Sequence, residues 1–204
     1  MTASGSRMIL SGILFAEEGE IPVKYNKTFI LKDGRSCIVR NGTEQDAEDV
    51  LANFIGTHAQ TDFLTTYPDE TRFTVDQEKD YLKEKTANER AVELVAEVDG
   101  TITGTAGVDL IREADKTRHR ACFGISIDKA WWGLGIGRAL TEAAVECAKE
   151  AGYLQLELEA VADNERALSL YQRAGFVEFG RNPRGFRTRA GNWQELVLMR
   201  MELD

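Results

Sequence analysis

Trp131-Trp132-Gly133-Leu134-Gly135-Ile136-Gly137-Arg138 is the stretch on which the fold turns. It follows a β-prone run and opens directly onto a helical pattern, so it reads as a strand-to-helix turn. Its three alternating glycines let successive backbone N–H groups converge, and a helix N-terminus adds partial positive charge at the same point. Together these make an anion site suited to a pyrophosphate. Two familiar phosphate loops are excluded by inspection. A P-loop needs Gly-Lys-Ser/Thr at the helix start, and this chain has Gly137-Arg138-Ala139. The dinucleotide fingerprint fails as well, because read from Gly133 it ends on Arg138 and read from Gly135 on Leu140.

Downstream of the turn, Ile136, Leu140, Ala143, Ala144, Cys147, Ala148 and Ala151 mark one apolar face at helical spacing. Gly152 supplies a left-handed stop. Leu154, Leu156, Leu158 and Ala160 then alternate as a strand, and Asn164 starts a short helix that Gly175 ends. Phe176 to Phe179 is a strand, Arg181 to Gly191 a basic loop, and Trp193 to Met201 a last strand. Upstream, Val92 to Val98, Thr101 to Ile111 and Arg120 to Ile127 read as an antiparallel meander turned first at Asp99-Gly100. Further back lie a mostly charged helix from Val75 to Lys85 and an amphipathic one carrying Ala47, Val50, Leu51, Phe54 and Ile55. The latter starts at a capping box, Thr43-Glu44-Gln45-Asp46. Two β-prone runs between Thr28 and Arg40 flank Asp33-Gly34, a hairpin signal. The order is a mixed α+β one: two helices, a meander, then a βαβ-like unit. Residues 1–26 read as an N-terminal extension and residues 27–204 as one domain.

Composition narrows the function. With 204 residues, 43% of them hydrophobic, the chain can bury a real core and is too apolar to be disordered. Its net charge is −9, a poor match to nucleic acid, which needs cations to displace phosphate counterions. The acidity is local. Residues 35–110 hold 16 acids and 7 bases, which accounts for the whole excess. Such a segment is either a set of solvated helices or a field that attracts a cationic substrate. Cys37, Cys122 and Cys147 are odd in number and widely spaced, which points away from disulfides and structural metal and toward a reducing, cytoplasmic setting. No apolar run approaches the roughly 20 residues of a membrane span. The apolar run Met8 to Ala16 is a poor signal peptide, since no small-x-small cleavage site precedes Glu17 and Glu18.

The glycine turn resembles the acetyl-CoA signature of the GCN5-related N-acetyltransferases, Gln/Arg-x-x-Gly-x-Gly/Ala, which here runs from Trp132 to Gly137. Trp132 departs from the pattern at a position that works mainly through its backbone. A second family motif follows in Asp163-Asn164-Glu165-Arg166-Ala167-Leu168-Ser169-Leu170-Tyr171 and Ala174-Gly175-Phe176. The resemblance spans about Ile38 to Met201, close to bacterial members of unassigned acceptor and to the ribosomal-protein N-terminal acetyltransferases. It implies a mostly antiparallel twisted sheet of about six or seven strands with about four helices. It also implies acetyl-CoA as co-substrate, no metal, and a primary amine as acceptor, either a small molecule or a protein N-terminus.

Residue roles follow from the same resemblance. Backbone groups of Ile125, Ser126 and Ile127 meet the pantetheine arm and the thioester oxygen. Amides across Trp132, Gly133, Leu134, Gly135, Ile136, Gly137 and Arg138 hold the pyrophosphate, Asn164 reaches the pantetheine, and Ala167 leaves room for it. Asn164 also reads as a plain helix N-cap. Tyr171, seven residues on from Asn164 and on nearly the same helix face, is the acid for the departing thiolate. Read blandly, it is a core aromatic beside Leu170 and Phe176. The base is less defined. The family often places a Glu at the position that Cys122 occupies, which leaves Glu157 or Glu159 acting through water, or solvent itself. Both glutamates project opposite the leucine face of their strand, where simple solvation also accounts for them. Trp131, Trp132 and Trp193 read as lining a cleft or, more simply, as core packing. Two further readings compete: a CoA-binding regulatory module without turnover, and a homodimer using residues 1–26 as an arm.

Overall fold

The computed structural model describes residues 22–70 and 73–204. The run Met8 to Ala16 and most of the N-terminal extension lie outside the described residues. The last residues of that extension do not stand apart from the domain, because Val23 and Tyr25 are buried in its core.

Among the described residues eight strands form one sheet: β1 (Asn26–Ile30), β2 (Ser36–Asn41), β3 (Val92–Val98), β4 (Thr101–Leu110), β5 (Arg120–Ile127), β6 (Gln155–Val161), β7 (Val177–Arg187) and β8 (Trp193–Glu202). Their order is β1-β2-β3-β4-β5-β6-β8-β7. Four α-helices accompany them among the described residues: α1 (Ala47–Ala59), α2 (Val75–Ala87), α3 (Ile136–Glu150) and α4 (Glu165–Ala174). The architecture is the expected one, with slightly more strands than the six or seven the resemblance implies; both arms of the hairpin read at Asp33-Gly34 are present as β1 and β2.

The hairpins are set by local chemistry. Asp99 and Gly100 both take positive φ, 51° and 77°, which lets the two-residue turn follow the right-handed twist from β3 into β4. β3, β4 and β5 form the antiparallel meander. The chain then crosses through α3 and returns as β6, parallel to β5.

Alternation divides the sheet into two faces. Val92, Leu94, Ala96 and Val98 point into a core shared with Ile136, Leu140, Ala143 and Cys147 of α3. Val95 and Ile102 point the other way, against Ala47 and Val50 of α1 and Leu82 of α2. So α1 and α2 cover one face while α3 and α4 cover the other.

Arg181 to Gly191 is not a loop, because β7 runs on to Arg187. The strand breakers Pro183 and Gly185 are absorbed by a register shift between Asn182 and Phe186 on an edge strand, where a missing donor costs little. Two arginines of the segment are also ion-paired, Arg181 with Glu178 and Glu195 and Arg189 with Asp69, while Arg184 and Arg187 lie over the ring of Trp193.

Candidate active site

The site begins where the sheet opens. β5 and β6 pair only at Arg120↔Gln155, Ala121↔Leu156 and Cys122↔Glu157, although both strands continue well beyond. Past Cys122, β5 keeps β4 on one side and faces a gap on the other. A cleft of about 2550 Å³ runs through this gap from one face of the sheet to the other. Every residue singled out from the sequence for catalysis or cofactor binding lines it.

At one end stands the glycine turn. Gly133 (φ 89°) and Gly135 (φ 111°) hold left-handed conformations that a side chain strains against, and Gly135 is the N-cap of α3. The first turn of a helix leaves its amides without intrahelical partners. The N–H groups of Ile136, Gly137 and Arg138 therefore face the cleft mouth as free donors. Gly137 serves packing instead, since a Cβ there would lie 3.1 Å from Leu170 and 3.3 Å from Ile127. This arrangement fits a pyrophosphate: unpartnered amides, a helix dipole, and the Arg166 guanidinium close to Gly133.

Trp132 acts through more than its backbone. Its indole N–H donates to Ile127 O at 2.8 Å, and its ring lies against Arg166 and Lys129. Trp131 also lines the cleft, with Arg35 over its ring. Trp193 is 51% exposed and flanked by Arg184 and Arg187. Trp131 is half-buried and packs against the core while lining the cleft, Trp132 is half-buried in the cleft wall, and Trp193 lies on the surface.

On the α3/α4 face, Asn164 is the N-cap of α4 and its Oδ1 accepts from Ala167 N at 3.2 Å. Tyr171 is buried among Phe123 and Phe176, edge-on to both at about 6 Å. It is therefore a core aromatic and a cleft residue at once. Burial pushes its phenol above the ordinary value of 10, so the proton stays on through the physiological range.

On the α1/α2 face the site is made of side chains. Glu157 is not simply solvated: its carboxylate accepts from Arg120, at 2.7 Å from Nη2, and from Gln155 Nε2 at 2.8 Å. Glu159 is exposed along the same strand. Cys122 faces the cleft, and burial with the nearby Asp109 pushes its thiol up, so it stays neutral. Among the described residues no three His, Cys, Asp or Glu side chains come together to hold a metal.

One residue was missed by sequence reasoning. Glu93 of β3 lies on this face and lines the cleft, and burial pushes its carboxyl up to about 7. Tyr81 Oη donates to its Oε2 at 3.4 Å. The available signal was a lone acid inside Val92-Glu93-Leu94-Val95-Ala96, an otherwise apolar run. A charge in a mostly buried strand calls for a reason.

Comparison with known proteins agrees with this geometry. A model of the acetyltransferase (GNAT) family matches residues 54–176. An L-amino acid N-acyltransferase of Escherichia coli is 30% identical over 111 residues, covering 54% of this chain and 64% of that enzyme. The chain spans only 41% and 52% of the next two curated relatives. Among solved structures, a GNAT-family acetyltransferase from Streptococcus pneumoniae superposes with a TM-score of 0.78 at 27% identity, over 81% of this chain and 99% of that one. A ribosomal-protein-alanine N-acetyltransferase from Brucella melitensis gives 0.72 at 26%, over the same shares.

Proposed function

The chain belongs to the acetyltransferase (GNAT) family, and on that premise we propose that it transfers acetyl from acetyl-CoA to a primary amine in a ternary complex. The observation that carries the reading is the cleft itself. A backbone anion site at one mouth leads along the open edge of β5 to a buried phenol, and then through the sheet to a pocket of carboxylates.

In this reading the amides of Gly133 to Arg138 hold the pyrophosphate. The edge of β5 from Ile125 to Ile127 aligns the pantetheine in extended form, with Asn164 and Ala167 opposite. Acetyl-CoA supplies the activated acetyl group. The chain's main contribution is to hold thioester and amine together, which replaces a two-body encounter with a local one. A backbone N–H on the free edge of β5 supports charge developing on the thioester oxygen. Tyr171 gives its proton to the departing sulfur.

The acceptor enters from the α1/α2 side, where Glu78, Glu93 and Asp109 face the cleft. This favours a cationic amine, and the family's named members extend the candidates to amino acids and protein N-termini. The free thiols Cys37, Cys122 and Cys147 suit a reducing, cytoplasmic setting.

The reading of a CoA-binding module without turnover draws on Cys122, which supplies no carboxylate at the usual position. Thiol release from acetyl-CoA separates the two. The panel is L-methionine, spermidine and a tetrapeptide with N-terminal alanine. Turnover on at least one amine is expected, whereas binding of acetyl-CoA with no turnover on any would leave the regulatory reading.

A further inference from the structure

β3, β4 and β5 bring Glu93, Gly107 and Gly124 into one row, since Glu93 pairs with Gly107 and Gly107 with Gly124. Cross-strand partners project to the same face. The two glycines therefore leave a trough beside the side chain of Glu93. That side chain lies in it, because a Cβ built on Gly107 would sit 2.9 Å from Glu93 Oε2. Above Gly124 there is nothing within 4 Å. The carboxylate thus reaches over β4 toward an empty space beside β5, one residue before Ile125 and next to Cys122. The other acids on this face are less suited. Glu157 is held by Arg120 and Gln155, and Asp109 by Lys85 of α2.

We propose that Glu93 is the proton acceptor of the reaction, a carboxylate carried from β3 across two glycines to the place where Cys122 leaves none. The proposal rests on the acetyl-transfer reading. The ammonium of the acceptor gives one proton to Glu93, and the freed lone pair forms the bond from nitrogen to the acetyl carbon. The thioester carbonyl pair moves onto oxygen and returns, and the C–S bond breaks with its electrons going to sulfur. Sulfur takes the Tyr171 proton, and the new amide nitrogen loses its extra proton to the tyrosyl oxygen. Products are the N-acetyl amine and free CoA, with one proton left on Glu93 to pass to water.

The surroundings suit that role. An ordinary glutamate is too weak a base for an ammonium of pKa roughly 10.4, and raising it toward working pH improves the match. Burial raises Glu93, as do Asp109 of β4 and Glu78 of α2. Lys85 of α2 and a hydrogen bond with Thr105 of β4 pull it down. Tyr81 of α2 and the Cys122 thiol complete the shell as neutral groups, both pushed up by burial.

The test measures thiol release against pH for wild type, Glu93→Gln and Gly107→Ala, using the panel amine with the highest wild-type rate. Acetyl-CoA affinity is measured in parallel. Wild-type kcat/KM should rise through an acid limb near pH 7, as expected from a group at about 7. Glu93→Gln should lose about 10²–10⁴-fold in kcat together with that limb, and keep its acetyl-CoA affinity within about twofold. Gly107→Ala keeps the carboxylate but forces it out of the trough toward water, so its limb should move to lower pH. A Glu93→Gln enzyme within about threefold of wild type, with its limb intact, overturns the proposal. So does a Gly107→Ala limb that does not move, which decides the matter if Glu93→Gln fails to fold. A wild-type protein silent on every amine fails the acetyl-transfer reading instead.

Discussion

The two halves of the cleft are built from different material. The half on the turn and the α3/α4 face is made of backbone: amides at the start of α3, the bare edge of β5, and the cap of α4, closed by buried aromatic rings. The half on the α1/α2 face is made of polar and charged side chains that pair between α2 and the sheet and between neighbouring strands. A ligand common to a whole family suits the first kind, because amide positions depend on fold and on a few glycines. An acceptor that differs between relatives suits the second, because a side chain can be exchanged without moving the backbone. The sheet gap joins the two at one point, with Tyr171 on one side and Glu93 on the other.

The strongest way to break this division is at Gly135. Its φ of 111° lies where an L side chain is strained, and a β-branched one most of all. Gly135→Val should turn or unseat the first amides of α3 and weaken acetyl-CoA binding by at least about 100-fold, with Tm lowered by roughly 2–4 °C for each kcal/mol of strain. Calorimetric titration with acetyl-CoA checks the first outcome and thermal melting the second. Near wild-type affinity would mean that side chains, not amides, hold the cofactor.

Tyr171→Phe probes the junction. The ring and its contacts with Phe123 and Phe176 remain, so acetyl-CoA affinity should change little while kcat falls about 100-fold. Because burial raises this phenol, it should contribute no alkaline limb below about pH 10 in the wild-type profile. Equal losses in affinity and turnover would make Tyr171 a packing residue alone.

The same division explains what could be read from the chain. Val92–Val98, Arg120–Ile127, the α3 stripe, and the caps at Asn164 and Gly175 are local patterns, and they stand where the spacing puts them. The glycine turn was legible for the same reason, since its chemistry lies in eight consecutive residues. The acceptor half was not. Glu93 and Gly107 are fourteen residues apart, and their contact exists only once register is set. Arg120 meets Glu157 through a parallel pairing that no turn announces, so a glutamate that looked merely solvated is tied to a neighbouring strand. Pro183 and Gly185 misled in the opposite direction, because their local meaning is a loop and an edge strand tolerates them.

The smallest expected effect sharpens the comparison most finely, since it separates what Glu93 does for function from what it does to stability. A carboxyl whose folded pKa lies near 7, above its unfolded value of 4.5, favours the fold while protonated. Its contribution is complete below about pH 4.5 and is lost as pH rises through about 7, where the folded protein must hold a partly buried charge. Glu93→Gln removes that titration. Relative to wild type it should therefore become more stable as pH is raised from 5 to 8, by on the order of 1–2 kcal/mol after allowance for relaxation and water. Urea denaturation of the two proteins at both pH values measures the difference. A gain in stability at pH 8 together with a loss of turnover in the variant would mean that the wild-type protein keeps Glu93 at a cost to the fold, as it does a functional residue. A constant stability difference across that range would place Glu93 among ordinary surface acids and remove the asymmetry between the two halves of the cleft.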